Sequence, residues 1–137
     1  MIDNNIIIKE LNKLIIKAQK KNEVPVAALL VKDNKIIAKA YNKTIKTNNI
    51  MNHAEILVIK KGSKILNNWR LNDCFLYVSL EPCDMCKEII KKSRIKNVYY
   101  FAKQNNYETE SYPNYEYIEN DMLSKKLSSF FKHIRSK

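Results

Sequence analysis

Glycine is nearly absent from this chain of 137 residues, which has one, Gly62. A glycine-rich loop that cradles phosphate through bare backbone is thereby excluded. Cysteine is scarce too: Cys74, Cys83 and Cys86 are too few for a disulfide scaffold, so the expected setting is reducing and cytoplasmic. No apolar run is long enough to cross a bilayer, so no membrane partner is expected. The apolar stretch Ile6-Ile7-Ile8 is broken by Lys9, Glu10 and Asn12 and does not make a secretory core. Acidic residues are outnumbered, 14 against 25 Lys and Arg, for a formal net charge of +11. That balance points to a polyanionic partner such as nucleic acid, although a chain rich in Lys, Ile and Asn is also what AT-rich genomes produce. No block of like charge forms a basic tail, and no repeat or linker divides the chain. With 45% hydrophobic residues it can bury a real core, and its length fits one domain over residues 1–137.

What is present is a donor set. His53-Ala54-Glu55 is followed downstream by Pro82-Cys83-Asp84-Met85-Cys86. One imidazole and two thiolates, from His53, Cys83 and Cys86, suit zinc. Three protein donors leave the fourth position of a tetrahedral site open, as catalytic zinc requires. Glu55, two residues beyond His53, is the candidate catalytic acid and base beside that position. A C-x-x-C alone could be a redox pair or half of a structural site, and an H-x-E alone is common by chance. Together, in this order and with Pro82 directly ahead of Cys83, they form the pattern of zinc nucleobase deaminases. A closed structural site would need Cys74 or His133, and neither stands at a paired-ligand spacing.

Periodicity supplies the frame. Ile7, Ile8, Leu11, Leu14, Ile15 and Ala18 recur at helical spacing and predict a first helix ending near residues 20–22. Residues 24–31 predict a strand, 32–35 a turn and 36–41 its hairpin partner. Residues 42–51 read as polar and irregular. A largely buried helix is expected from Ala54 to about Gly62, a strand over 74–80, and a helix opening at Pro82 and running to 93–94. A strand over 98–102 follows, then a Tyr-rich stretch from 107 to 120 that holds a loop and a short strand. Leu123, Leu127, Phe130, Phe131 and Ile134 predict a last amphipathic helix. The alternation implies an α/β fold, a three-layer α/β/α sandwich with helices on both faces of a mixed sheet. His53 and Cys83 then fall at helix N-termini, with Cys86 one turn beyond Cys83.

Glu23-Val24-Pro25-Val26, Tyr41-Asn42, His53-Ala54-Glu55, Trp69-Arg70-Leu71, the run from Leu76 to Cys86, Ser93-Arg94-Ile95 and Ser129-Phe130-Phe131 together resemble the bacterial tRNA-specific adenosine deaminases, over roughly residues 6–135. The resemblance implies a cytidine-deaminase-like fold, one zinc ion per subunit, a homodimer, and tRNA as partner. The activity it implies is hydrolytic conversion of adenosine to inosine at the wobble position of an anticodon loop, in an arginine tRNA. It makes Asn42 a base-contacting residue and places Val26, Ala54 and Leu80 around the base. Phe130, Phe131, Lys132, Arg135 and Arg94 become candidate RNA contacts. Ala27 stands where the family usually has glycine. Two other readings share the motif: a deaminase of a free base or nucleoside, of guanine or cytosine type, and a non-catalytic zinc- and RNA-binding subunit. Such subunits lack the carboxylate that Glu55 supplies here.

Overall fold

The computed structural model describes residues 1–103 and 113–135, the last four of these by backbone alone. Helix α1 (Asn4–Lys20) begins where the Asp3 side chain accepts the Asn5 N–H at 2.9 Å. It buries the predicted stripe of Ile7, Leu11, Leu14, Ile15 and Ala18. It ends because Asn22 turns left-handed (φ 58°) and the amides of Asn22 and Glu23 bond back to Gln19 and Ala18, the Schellman stop. Strands β1 (Ala27–Lys32) and β2 (Lys35–Tyr41) form a hairpin. Asp33 and Asn34 have φ 51° and 61°, the backbone of a two-residue turn whose twist matches the strands.

Then follow α2 (Thr44–Thr47), α3 (Ala54–Leu66), β3 (Cys74–Val78), α4 (Asp84–Lys92), β4 (Asn97–Tyr100), β5 (Asn114–Tyr117) and α5 (Asp121–Arg135). The sheet order is β2-β1-β3-β4-β5. β1 is antiparallel to both neighbours, whereas β3, β4 and β5 run parallel. Alternation along β1 divides the core. Ala27, Leu29 and Val31 pack with α1 and with Leu123 of α5. Ala28 and Leu30 pack with Ile56, Val58 and Ile59 of α3 and Cys86 and Ile90 of α4. The predicted three layers and mixed sheet are therefore present.

Several elements differ from expectation: β3 ends at Val78 rather than residue 80, and β4 is Asn97–Tyr100 rather than 98–102. β1 starts at Ala27 rather than Val24, because Pro25 has no N–H and the Val26 amide closes a tight turn onto Val24 O at 2.8 Å. The segment after Asn42 contains a helical turn, α2. The helix at Pro82 begins two residues later, with Cys83 as its N-cap. The helix from Ala54 does not stop at Gly62 but runs to Leu66 and is closed by left-handed Asn67. Gly62 faces Leu30, and a Cβ there would collide with that side chain. Of the Tyr-rich stretch, residues 107–112 lie outside the described residues, and the expected short strand is β5.

Gly62→Val therefore sets two effects against each other. Helix propensity favours Val over Gly by a few tenths of a kcal/mol, while overpacking against fully buried Leu30 costs about 1–3 kcal/mol. Overpacking wins, so denaturant unfolding should show a net loss of about 2 kcal/mol. Stability equal to wild type would contradict the packing described here.

Candidate metal centre

Two helix N-termini meet at one end of the sheet. His53 is the N-cap of α3 and Cys83 the N-cap of α4, both with extended backbones, and neither side chain caps its own helix. Both are left free to point at one another. Cys86, one turn into α4, is fully buried. Its Sγ lies 3.4 Å from His53 Nδ1, and Cys83 Sγ lies 3.8 Å from the same nitrogen. All three donor atoms fall within 4.8 Å of one another. Tetrahedral zinc with ordinary Zn–N and Zn–S bonds needs N···S separations of about 3.6 Å. The donor set and its spacing fit that ion.

Other bonds hold the two helix ends in register. Asn42 is buried and accepts the Ala54 N–H at 2.9 Å. It thus does for α3 what the His53 side chain does not. The Asn42 amide nitrogen has no partner among the described residues. The main chain of Asn42 donates to Val26 O. Ser79 Oγ accepts the Ala27 N–H, and the Ser79 N–H returns to Ala27 O, both at 3.0 Å. This pair carries the chain from β3 toward Cys83. Val26 and Ala54 are buried in the apolar cluster that surrounds Cys86, and Leu80 packs against it.

Glu55 is 3% exposed, and its Oε1 is buried with no hydrogen-bond partner among the described residues. Burial raises its carboxyl to about 7, against a weaker opposing pull from His53. The hydrogen bond with Cys83 raises the His53 imidazole against the effect of burial. The two thiols move apart. Bonds from Cys86 and His53 hold Cys83 far below the usual thiol range, while the Cys83 partner and burial hold Cys86 far above it. Without an ion Cys83 is thus the more readily ionised of the two, favoured by the Cys86 thiol, the imidazole and the helix N-terminus.

The residues expected at a substrate are divided by the fold. Asn42, Val26, Ala54 and Leu80 belong to the cluster's surroundings. Arg94 does not: it is exposed beyond the far end of α4, with φ 72°, and its guanidinium faces the Trp69 ring at 5.8 Å. Arg70 covers that ring at 4.5 Å. Phe130 and Phe131 lie edge to face on α5, centroids 5.4 Å apart, with Phe131 exposed. The side chains of Lys132, Arg135 and His133 lie outside the described residues. Glu23, Ser79 and Glu81 are buried polar groups that periodicity did not single out. The only signal for them was membership of the short runs on either side of the motif.

Residues 2–102 match the family model described as the cytidine and deoxycytidylate deaminase zinc-binding region. A tRNA-specific adenosine deaminase from Rickettsia bellii is 46% identical over 84 residues, 60% of this chain and 58% of that protein. The chain thus spans little more than half the length of that relative. A chain solved in studies of A-to-I editing by tRNA:A34 deaminases superposes with a TM-score of 0.75 at 30% identity, covering 84% of this chain and 98% of that one. Guanine deaminase from Bacillus subtilis superposes with a TM-score of 0.64 at 28% identity, covering 94% and 93%.

Burial of Glu55 has a consequence for metal-free protein. Between the ordinary carboxyl value of 4.5 and about 7, the folded state holds a proton that the unfolded chain has released. Stability is then full at low pH and is lost as pH rises toward 7. In chelator, Glu55→Gln should match wild type near pH 4.5. It should exceed wild type by on the order of 2–3 kcal/mol at about pH 8. Denaturant unfolding at the two pH values checks this, and equal stabilities at the higher pH would contradict it.

Proposed function

Because the chain belongs to the cytidine and deoxycytidylate deaminase zinc-binding family, we propose that it is a zinc-dependent hydrolase, one domain over residues 1–137, that converts adenosine to inosine at the wobble position of a tRNA anticodon loop. The observation that carries this reading is the convergence of His53, Cys83 and Cys86 on one point beside the buried Glu55, one of whose carboxylate oxygens, Oε1, has no hydrogen-bond partner among the described residues. His53, Cys83 and Cys86 hold the ion. The chemistry a bound zinc ion supplies there is a water made nucleophilic at neutral pH.

The protein's own residues do the rest. Glu55 takes a proton from the attacking water and passes it to the ring nitrogen next to the amino-bearing carbon. Glu55 then takes the remaining proton of the hydroxyl so added and delivers it to the departing amine, as the carbon–nitrogen bond breaks and the carbonyl forms. The water oxygen ends as the carbonyl of inosine, and the nitrogen leaves as ammonia. A carboxyl buried beside the donor cluster can both accept and return protons there. Asn42 keeps an amide donor for an acceptor on the purine edge, while its carbonyl stays committed to Ala54. Val26, Ala54 and Leu80 form the apolar wall. An anticodon-loop base is already partly unstacked, which lowers the cost of extruding it.

The substrate class is supported by the names of the similar proteins and by the net charge of +11. An arginine tRNA is the first substrate to test. A homodimer working in the cytoplasm is part of the same reading; no helix among the described residues is long and apolar enough to cross a membrane. The likeness to guanine deaminase favours a second reading, a free purine as substrate. Salt separates them. Phosphate contacts make affinity for RNA fall steeply with ionic strength, and a neutral base shows little such effect.

Incubating zinc-loaded protein with arginine tRNA and sequencing it should show an A-to-G change at the wobble base and release of ammonia. Turnover of guanine with no change in the RNA would overturn the reading. Glu55→Gln should keep its zinc and lose about 10²–10⁴ in kcat. Cys83→Ser and Cys86→Ser should each lose zinc by elemental analysis. Full zinc occupancy in either serine variant would remove that residue from the ligand set.

A further inference from the structure

Glu23 is the most deeply buried charged side chain among the described residues, 1% exposed, and the chemistry above does not use it. Its two oxygens accept the N–H groups of Ile45, at 3.1 Å, and Lys46, at 2.7 Å. Both amides belong to α2, a single turn whose own N-cap residue, Lys43, contributes no side-chain bond. One such turn does not hold itself in water, whereas N–H bonds to a carboxylate are among the stronger ones available. The short helix is therefore pinned from outside, by a residue at the end of α1.

α2 lies within residues 43–52, which leave the sheet after Asn42 and return at His53. Lys43 N–H donates to Asn52 O at 3.0 Å, and Ala54 N–H to Asn42 Oδ1 at 2.9 Å, so the two ends of the segment are held together. The result is a closed loop whose far end runs directly into His53, the first donor of the cluster. Its outer side chains are large and apolar: Ile45 is 64% exposed, Ile50 74% and Met51 52%. Lys43 and Lys46 add positive charge around them. Apolar tips with cations beside them suit the faces and phosphates of unpaired nucleotides.

We propose that Glu23 is a positioning residue for substrate, holding residues 43–52 in the shape that meets the nucleotides flanking the target base. The inference rests on the RNA reading above. The bonds that set Asn42 and His53 do not pass through the Glu23 carboxylate, so its loss loosens the loop and leaves the donor cluster in place. The expected signature is weaker substrate binding with unchanged chemistry.

The test is Glu23→Gln, which keeps the size of the side chain and turns one acceptor into a donor facing a backbone N–H. Zinc content should stay at the wild-type level. Hydrogen exchange at the Ile45 and Lys46 amides should quicken about tenfold or more. KM for an anticodon stem-loop RNA should rise about tenfold, with kcat within about twofold. A wild-type KM despite the faster exchange would overturn the inference, as would a fall in kcat at constant KM. Should that variant not fold, Ile50→Ser on the exposed tip carries the test. A KM raised about threefold with kcat kept supports the inference, and a wild-type KM overturns it. Wild-type protein inert on RNA would instead sink the reading of the substrate, a result distinct from either variant's.

Discussion

Two helix N-termini aimed at the same point are the constraint on which the rest depends. An N-terminus has free N–H groups and a partial positive charge. That charge favours thiolates, and His53 and Cys83 sit where it is strongest. Neither residue can cap its helix while facing the other. Asn42 supplies the missing bond at α3, and the Ser79–Ala27 exchange aligns the approach to α4. The sheet exists, in functional terms, to keep those ends a few ångströms apart.

The cluster is costly without an ion. It brings together an imidazole, two sulfurs that cannot both ionise, and a carboxyl that burial drives toward its neutral form. A divalent cation relieves the competition between the sulfurs directly, because both can then be thiolates. The partnerless Glu55 oxygen fits the same logic, since a buried acceptor with nothing to accept awaits a donor from outside the protein.

The motif was legible because its chemistry is local. H-x-E and P-C-x-x-C fix side chains within single helix turns, and alternation of strands and helices was enough to bring the two runs to one end of a sheet. What could not be read came from partners distant in sequence. Gly62 looks like a helix stop until Leu30, on another layer, is seen to require it. Val24 reads as strand because β-branched residues favour strands, yet the turn at Pro25 lies before the sheet begins. Asn42 resembles an ordinary turn residue, and only its bond to Ala54 shows why an amide stands there. Glu23, a charge expected at the surface, is buried because α2 offers it two amides. Arg94 lies beyond the far end of α4, and its guanidinium faces the Trp69 ring, a partner that no local pattern indicated.

X-ray absorption at the zinc edge of the loaded, substrate-free protein tests the central claim most directly. The account predicts one zinc per chain with two sulfur neighbours at about 2.3 Å and two nitrogen or oxygen neighbours at about 2.0–2.1 Å, one of the latter exchangeable. A shell with three or four sulfurs, or with four fixed protein donors and no exchangeable position, would contradict it.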